Sequence, residues 1–107
     1  MKRGDLITAV LPGNYGKARP ALVIQSDLFD VHPSITILPV TSELRNAPLF
    51  RISVEPNDEN GLHMTSQIMI DKTHTIRREK AGEPFGRLGD NIMLTINRAL
   101  AVFLGFG

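Results

Sequence analysis

The sequence predicts a small, mainly β fold: a mostly antiparallel β-barrel with one C-terminal α-helix packed on it. Three observations carry this expectation. Short apolar or alternating runs recur along the chain, each bounded by Pro, Gly, Asn or Asp. Helical spacing of apolar residues occurs clearly in the last segment. The 107 residues, 42% hydrophobic and 21% charged, fit one domain over 1–107 that can bury a core without staples.

Leu6–Leu11 is the first predicted strand, followed by the turn-rich Pro12-Gly13-Asn14-Tyr15-Gly16, whose glycines can take positive φ. Ala21–Gln25 is the second strand and Ser34–Val40, alternating apolar and polar, the third. Phe50–Val54 sets Phe, Ile and Val against Arg51 and Ser53, the pattern of a half-buried strand. Pro56–Gly61 is a solvated turn, and Ser66–Ile76 is one strand or a bent pair of strands. At the C-terminus Asp90 is expected to cap a helix and Gly105 to end it. Between them Ile92, Ile96, Ala99, Leu100 and Phe103 fall on one helical face.

Composition removes several function classes. With no cysteine, the chain has no disulfide, thiol nucleophile or cysteine–metal site. Its apolar runs are too short to span a bilayer, and Met1-Lys2-Arg3-Gly4-Asp5 leads into no long apolar region, so a cytoplasmic location is expected. Twelve basic against 11 acidic residues give a net charge of +1, which argues against non-specific coating of nucleic acid. A local basic face remains available at Arg77-Arg78-Glu79-Lys80. His32, His63 and His74 show no paired spacing, so no metal site is expected and no cofactor is implied.

The most informative stretch is Lys17-Ala18-Arg19-Pro20-Ala21-Leu22-Val23-Ile24. Arginine presents a rigid fork of donors that matches a phosphate, and Pro20 holds Arg19 to extended conformations. A guanidinium planted where a loop enters a buried strand suits a preorganised phosphate site; a surface arginine at a strand edge is the blander reading. Thr41-Ser42 ends the third strand with two hydroxyls that either donate to a phosphate or satisfy the turning backbone. Asp71-Lys72 interrupts an apolar strand and needs solvent or a partner, such as a salt bridge to Arg19 or another cation, unless it serves a site. Strict alternation would point the two charges in different directions unless a bulge intervenes. His74 lies near the cations Lys72 and Arg77 and reads either as a structural hydrogen-bonding histidine or as a neutral imidazole able to act as a base.

In order, these motifs resemble the MazF/PemK family of toxin endoribonucleases over nearly the whole chain. Lys2-Arg3-Gly4-Asp5-Leu6-Ile7 resembles the family's start, Arg19-Pro20-Ala21-Leu22-Val23-Ile24-Gln25-Ser26-Asp27 its most characteristic block, and Ile37-Leu38-Pro39-Val40-Thr41-Ser42 its central strand. Gly61-Leu62 through Ser66–Ile76, then Gly86-Arg87-Leu88-Gly89-Asp90, the helix and Leu104-Gly105-Phe106 match the later segments. The resemblance implies a homodimeric barrel of the CcdB/PemK, Src-homology-3-like kind that cuts single-stranded RNA at short motifs without a metal. It also implies an antitoxin that blocks the site, expected to be an acidic, partly disordered segment. By position, Arg19 corresponds to the family's catalytic arginine and Thr41 to its hydroxyl partner. Asp71 and His74 are further candidates for the chemistry, as general base. Tyr15, Lys17, Ser26, Ser42, Lys72, Arg77 and Arg78 are candidate RNA contacts.

Three departures stand out. Lys72 replaces a usual Gln, Arg78–Pro84 is longer than the usual link, and Met69 stands where some members carry an arginine two residues before the acid. An Arg19/Thr41 site is therefore expected rather than an Arg/Asp pair. The alternative is a gyrase-binding toxin like CcdB, without nuclease activity. CcdB engages gyrase through a C-terminal tryptophan, and this chain has no tryptophan.

Overall fold

Apolar alternation along short strands builds one antiparallel sheet that curls into a half-barrel. We describe it from a computed structural model over residues 1–13 and 15–106. Asn14 of the expected Pro12–Gly16 turn lies outside the described residues, as does Gly107. The strands are β1 (Asp5–Val10), β2 (Ala18–Val23), β3 (Ser34–Thr41), β4 (Arg51–Val54), β5 (Ser66–Met69), β6 (His74–Arg77) and β7 (Gly86–Arg87). A helix, α1, covers Asp90–Leu104, and single 3-10 turns sit at Asp27–Phe29 and Arg78–Lys80. The strand order is β4-β5-β3-β2-β1-β7, with β6 also on β3.

Period-two side-chain placement gives the sheet two apolar faces. One carries Ile7, Ala9, Ala21, Val23, Ile35, Ile37 and Ile76. The other carries Leu6, Leu22, Leu38, Val40, Ile68 and Ile70, and α1 seals it with Met93, Ile96 and Leu100. The helix is turned slightly from the expected face. Met93 is buried, Ile92 and Ala99 only partly so, and Phe103 is exposed. Gly105 ends α1 as expected, left-handed at φ 84°, with its N–H reaching back to the carbonyls of Ala101 and Val102. Asp90 is not the cap: Gly89 occupies that position without a side-chain bond, and Asp90 opens the first turn, where a carboxylate favours the helix dipole.

Two prolines decide where the sheet opens. The N–H groups of Phe85 and Gly82 bond the carbonyls of Leu6 and Thr8, so even-numbered residues of β1 face β7 and odd-numbered ones face β2. With Ala9 opposite Arg19 and Ile7 opposite Ala21, the backbone of Arg19 and Ala21 faces β1, and that of Pro20 faces β3. Pro20 has no N–H to give β3, and β2–β3 pairing ends one step earlier, at Ala21 opposite Pro39. Pro39 plays the matching part on the other edge of β3. That edge pairs with β6 as far as Ile37–His74 and with β5 from Val40–Ile68 onward, so Pro39 stands where a donor would have no partner. The Ser66–Ile76 run is thus a bent pair of strands, broken by a turn in which Lys72 N–H bonds the Met69 carbonyl at 3.2 Å.

Candidate active site

Beyond the last β2–β3 rung the strands diverge, and a cleft of about 950 Å³ opens there. Arg19, Pro20, Pro39, Thr41 and Ser42 line it from the sheet. Continuing the register two residues past Ala21–Pro39 sets Arg19 opposite Thr41. Both extend the Ala21/Ile37 face, so the cationic and hydroxyl groups form a polar rim on an apolar surface. His74, paired with Ile37, shares this face and lines the same cleft. Pro39 lies between Ile37 and Thr41 as floor.

The hydroxyl of Thr41 is oriented. Its Oγ1 accepts the Glu43 N–H at 3.1 Å, which leaves its own proton for a further acceptor. The loop that turns there is gripped from β5. Gln67, buried, accepts the Arg45 N–H through Oε1 at 3.0 Å and donates through Nε2 to the Arg45 carbonyl at 2.9 Å. Arg51 adds a bond from Nη1 to the Glu43 carbonyl at 3.4 Å. Arg19 itself is exposed and, among the described residues, enters no ion pair. Of the cations open to Asp71 it is therefore not Arg19 that pairs with it but Lys72.

A second wall comes from the β4–β5 loop, which presents Gly61, Leu62, His63 and Met64, with Phe85 alongside. Asn60 at its base is 1% exposed. Its Oδ1 accepts the N–H groups of Asn57 and Leu62, and its Nδ2 donates to the Glu55 carbonyl. Gly86 fits against this loop because a Cβ there would sit 2.2 Å from the Asn60 carbonyl oxygen. His63, Met64 and Phe85 are cleft residues that sequence reasoning did not single out. Nothing local marks them, since β5 and β7 bring them in from distant parts of the chain.

The remaining candidates fall elsewhere. Asp71 does not line the cleft. The expected divergence of Asp71 and Lys72 is corrected by the turn, which lets Lys72 Nζ reach Asp71 Oδ2 at 3.2 Å. Asp71 Oδ1 is buried without a partner. Ser26 sits past the far end of β2, where its Oγ caps the 3-10 turn by accepting the Leu28 N–H. Arg77 and Arg78 border a separate depression beside Pro33 and Ser34, at the end of β3 away from Thr41. There Arg78 Nε bonds the His32 carbonyl at 2.8 Å. Tyr15, 98% exposed with φ 52°, and Lys17 lie on the approach to β2 outside the lining. Among the described residues no group of three or more His, Asp or Glu side chains is placed to hold a metal, and no helix is long and apolar enough to cross a membrane.

The structure is thus a curled antiparallel sheet with one C-terminal helix, opened into a cleft that arginine, threonine and histidine line. Residues 2–104 match the family model for the PemK-like, MazF-like toxin of type II toxin-antitoxin systems. The chain is 46% identical over 106 residues to the probable endoribonuclease MazF of Mycolicibacterium smegmatis, covering 98% of this chain and 97% of that protein. It is 26% identical over 110 residues to the endoribonuclease EndoA of Bacillus subtilis, covering 97% and 94%. Among solved structures, a mycobacterial endoribonuclease in complex with its cognate antitoxin superposes with a TM-score of 0.82 over 100% of this chain and 97% of that one, at 23% identity. A MazE–MazF structure from Deinococcus radiodurans gives 0.78 over 100% and 97%, at 21% identity. The chain belongs to the PemK-like, MazF-like toxins of type II toxin-antitoxin systems.

Proposed function

We propose that this chain is a sequence-specific endoribonuclease that cleaves single-stranded mRNA without a metal, so inhibiting translation and growth. The register relationship of Arg19 and Thr41 at the open end of β2 and β3 carries this reading. The substrate's 2′-oxygen attacks the adjacent phosphorus, the bond from phosphorus to the 5′-oxygen breaks, and the products are a 2′,3′-cyclic phosphate and a 5′-hydroxyl. Arg19 holds two phosphate oxygens with its fork and stabilises the charge that builds on the phosphorane. Thr41 donates its remaining proton to the phosphoryl oxygen. Arginine stays protonated in proteins, so the 2′-proton goes to another group, and Asp71, His74 and water are the candidates. Ser42 contacts the RNA within the cleft. Lys17, Tyr15, Lys72, Arg77 and Arg78 contact its flanks, whereas Ser26, at the opposite end of β2, does not.

The toxin acts in the cytoplasm as a single domain over 1–107 that forms a homodimer, a state supported by exposed apolar side chains on α1 such as Leu94, Val102 and Phe103. Its antitoxin lays an acidic, partly disordered segment across the RNA site, where carboxylates take the place of phosphates. Incubation with a long unstructured RNA and sequencing of the 5′-hydroxyl ends tests the activity. Cleavage at one short motif, strongly slowed in Arg19→Ala with the fold intact, is expected. Intact RNA alongside inhibited gyrase supercoiling would replace the nuclease reading with the gyrase one.

A further inference from the structure

The backbone around residue 72 holds the His74 ring. His74 Nδ1 lies 2.7 Å from the carbonyl oxygen of Lys72. A carbonyl only accepts, so this bond requires the proton of the neutral ring on Nδ1 and leaves the lone pair on Nε2. The ring is half-buried, shares the sheet face of Thr41 and Arg19, and lines the cleft. Asp71 is placed for different work. Its side chain is 20% exposed, one oxygen pairs with Lys72 Nζ and the other is buried, and it does not reach the cleft lining. Asp71 and Lys72 instead lie in the turn, closed by the Lys72 N–H on the Met69 carbonyl at 3.2 Å, that presents the Lys72 carbonyl to His74.

Resting on the ribonuclease reading, we propose that His74 is the general base of the reaction and that the Lys72 main-chain carbonyl is its orienting partner, the part a buried carboxylate plays in a nucleophile–base–orienter triad. With the scissile phosphate over Pro39 between Arg19/Thr41 and His74, Nε2 takes the 2′-proton as the 2′-oxygen bonds to phosphorus. The 5′-oxygen leaves and takes a proton from solvent. His74 then returns its proton to solvent, so atoms and charge balance over one turnover. Because the orienter is a main-chain atom, this part of the site depends on the 70–73 turn and not on the side chain at position 72.

Single-turnover cleavage of a short single-stranded RNA carrying the cleaved motif provides the test, with thermal melts to confirm folding. His74→Ala is expected to lose about 10²–10⁴ in kcat with little change in KM. Added imidazole should restore part of that rate in His74→Ala and none in Arg19→Ala. A substrate with sulfur at the 5′-bridging position, whose leaving group needs no proton, should leave the His74→Ala defect in place. Rescue by that substrate would make His74 an acid and overturn the proposal, as would wild-type kcat in a folded His74→Ala. Independently of activity, ring ¹⁵N NMR of the wild-type protein should show neutral His74 protonated at Nδ1; an Nε2–H tautomer would overturn the assignment. Wild-type protein that cleaves no RNA would sink the ribonuclease reading itself, whereas wild-type cleavage that ignores His74 sinks only this inference.

Discussion

Gln67 holds Arg45 by both of its main-chain groups, taking the N–H at 3.0 Å and giving to the carbonyl at 2.9 Å. A buried side-chain amide thus imitates one rung of a β-ladder and fixes the loop that carries Ser42 and Glu43. Gln67→Leu leaves two backbone groups unpaired and should cost about 1–3 kcal/mol in chemical denaturation. RNA cleavage should fall as well, because the Glu43 N–H that orients Thr41 belongs to this loop. An unchanged denaturation midpoint would show that the loop is held by other contacts.

Arg19 gives a cleaner separation of chemistry from stability. It is exposed and unpaired among the described residues, so Arg19→Ala should change stability by no more than about 0.5 kcal/mol. Its loss should lower the cleavage rate about 10²–10³-fold, as removal of one preorganised donor does. Arg19→Lys keeps the charge but not the fork, and should recover only part of that loss. Full activity in the lysine variant would mean that charge alone is used.

Thr41 is tested by its two isosteres. Thr41→Ser keeps an oxygen that accepts from Glu43 and donates onward, and should keep most activity. Thr41→Val removes the acceptor and the donor together and should be far slower. Equal rates for serine and valine would confine the hydroxyl to a turn-stabilising role.

Gly86 permits a close approach that any side chain would block. Gly86→Ala would drive a Cβ to 2.2 Å from the Asn60 carbonyl oxygen. Overpacking of this kind costs about 1–3 kcal/mol, and the displaced loop carries His63 and Met64 into the cleft. A lower melting temperature together with weaker RNA binding is expected; a wild-type melt would show that the loop yields freely.

Pro20→Ala restores an N–H aimed at β3. The variant should gain a rung near Val40, hold its stability, and cleave more slowly because the cleft narrows. Hydrogen exchange would show the new protected amide, and rapid exchange at residue 20 would refute the account of the opening.

Much of the fold was legible because apolar period and turn chemistry agree over long stretches. β1, β3, β4 and the left-handed stop at Gly105 follow directly from them. The break within Ser66–Ile76 stayed open because the turn around Asp71 and Lys72 contains neither Gly nor Pro. β2 begins at Ala18 and not Ala21, since Arg19 and Pro20 still pair with β1 when pairing to β3 has ceased. The helix start was misplaced by one residue because Gly89 caps it with backbone geometry alone. At the site, Arg19, Thr41 and Ser42 stood out as polar residues at strand ends. His63 and Phe85 did not, because their place in the cleft depends on long-range pairing. Ser26 looked like part of the same block as Arg19, but β2 is extended and carries it to the opposite end of the strand.

The two prolines also separate what can vary in this molecule from what cannot. The gap between β2 and β3 is set by a main-chain donor that does not exist, so no side-chain change that keeps Pro20 can zip it shut. The walls of the cleft are loops held by a few amides, Asn60 on one side and Gln67 on the other. The loops can therefore be redrawn, and with them the shape of what the cleft accepts, while the opening and its arginine stay in register. The scaffold behaves as a fixed jaw with exchangeable lips.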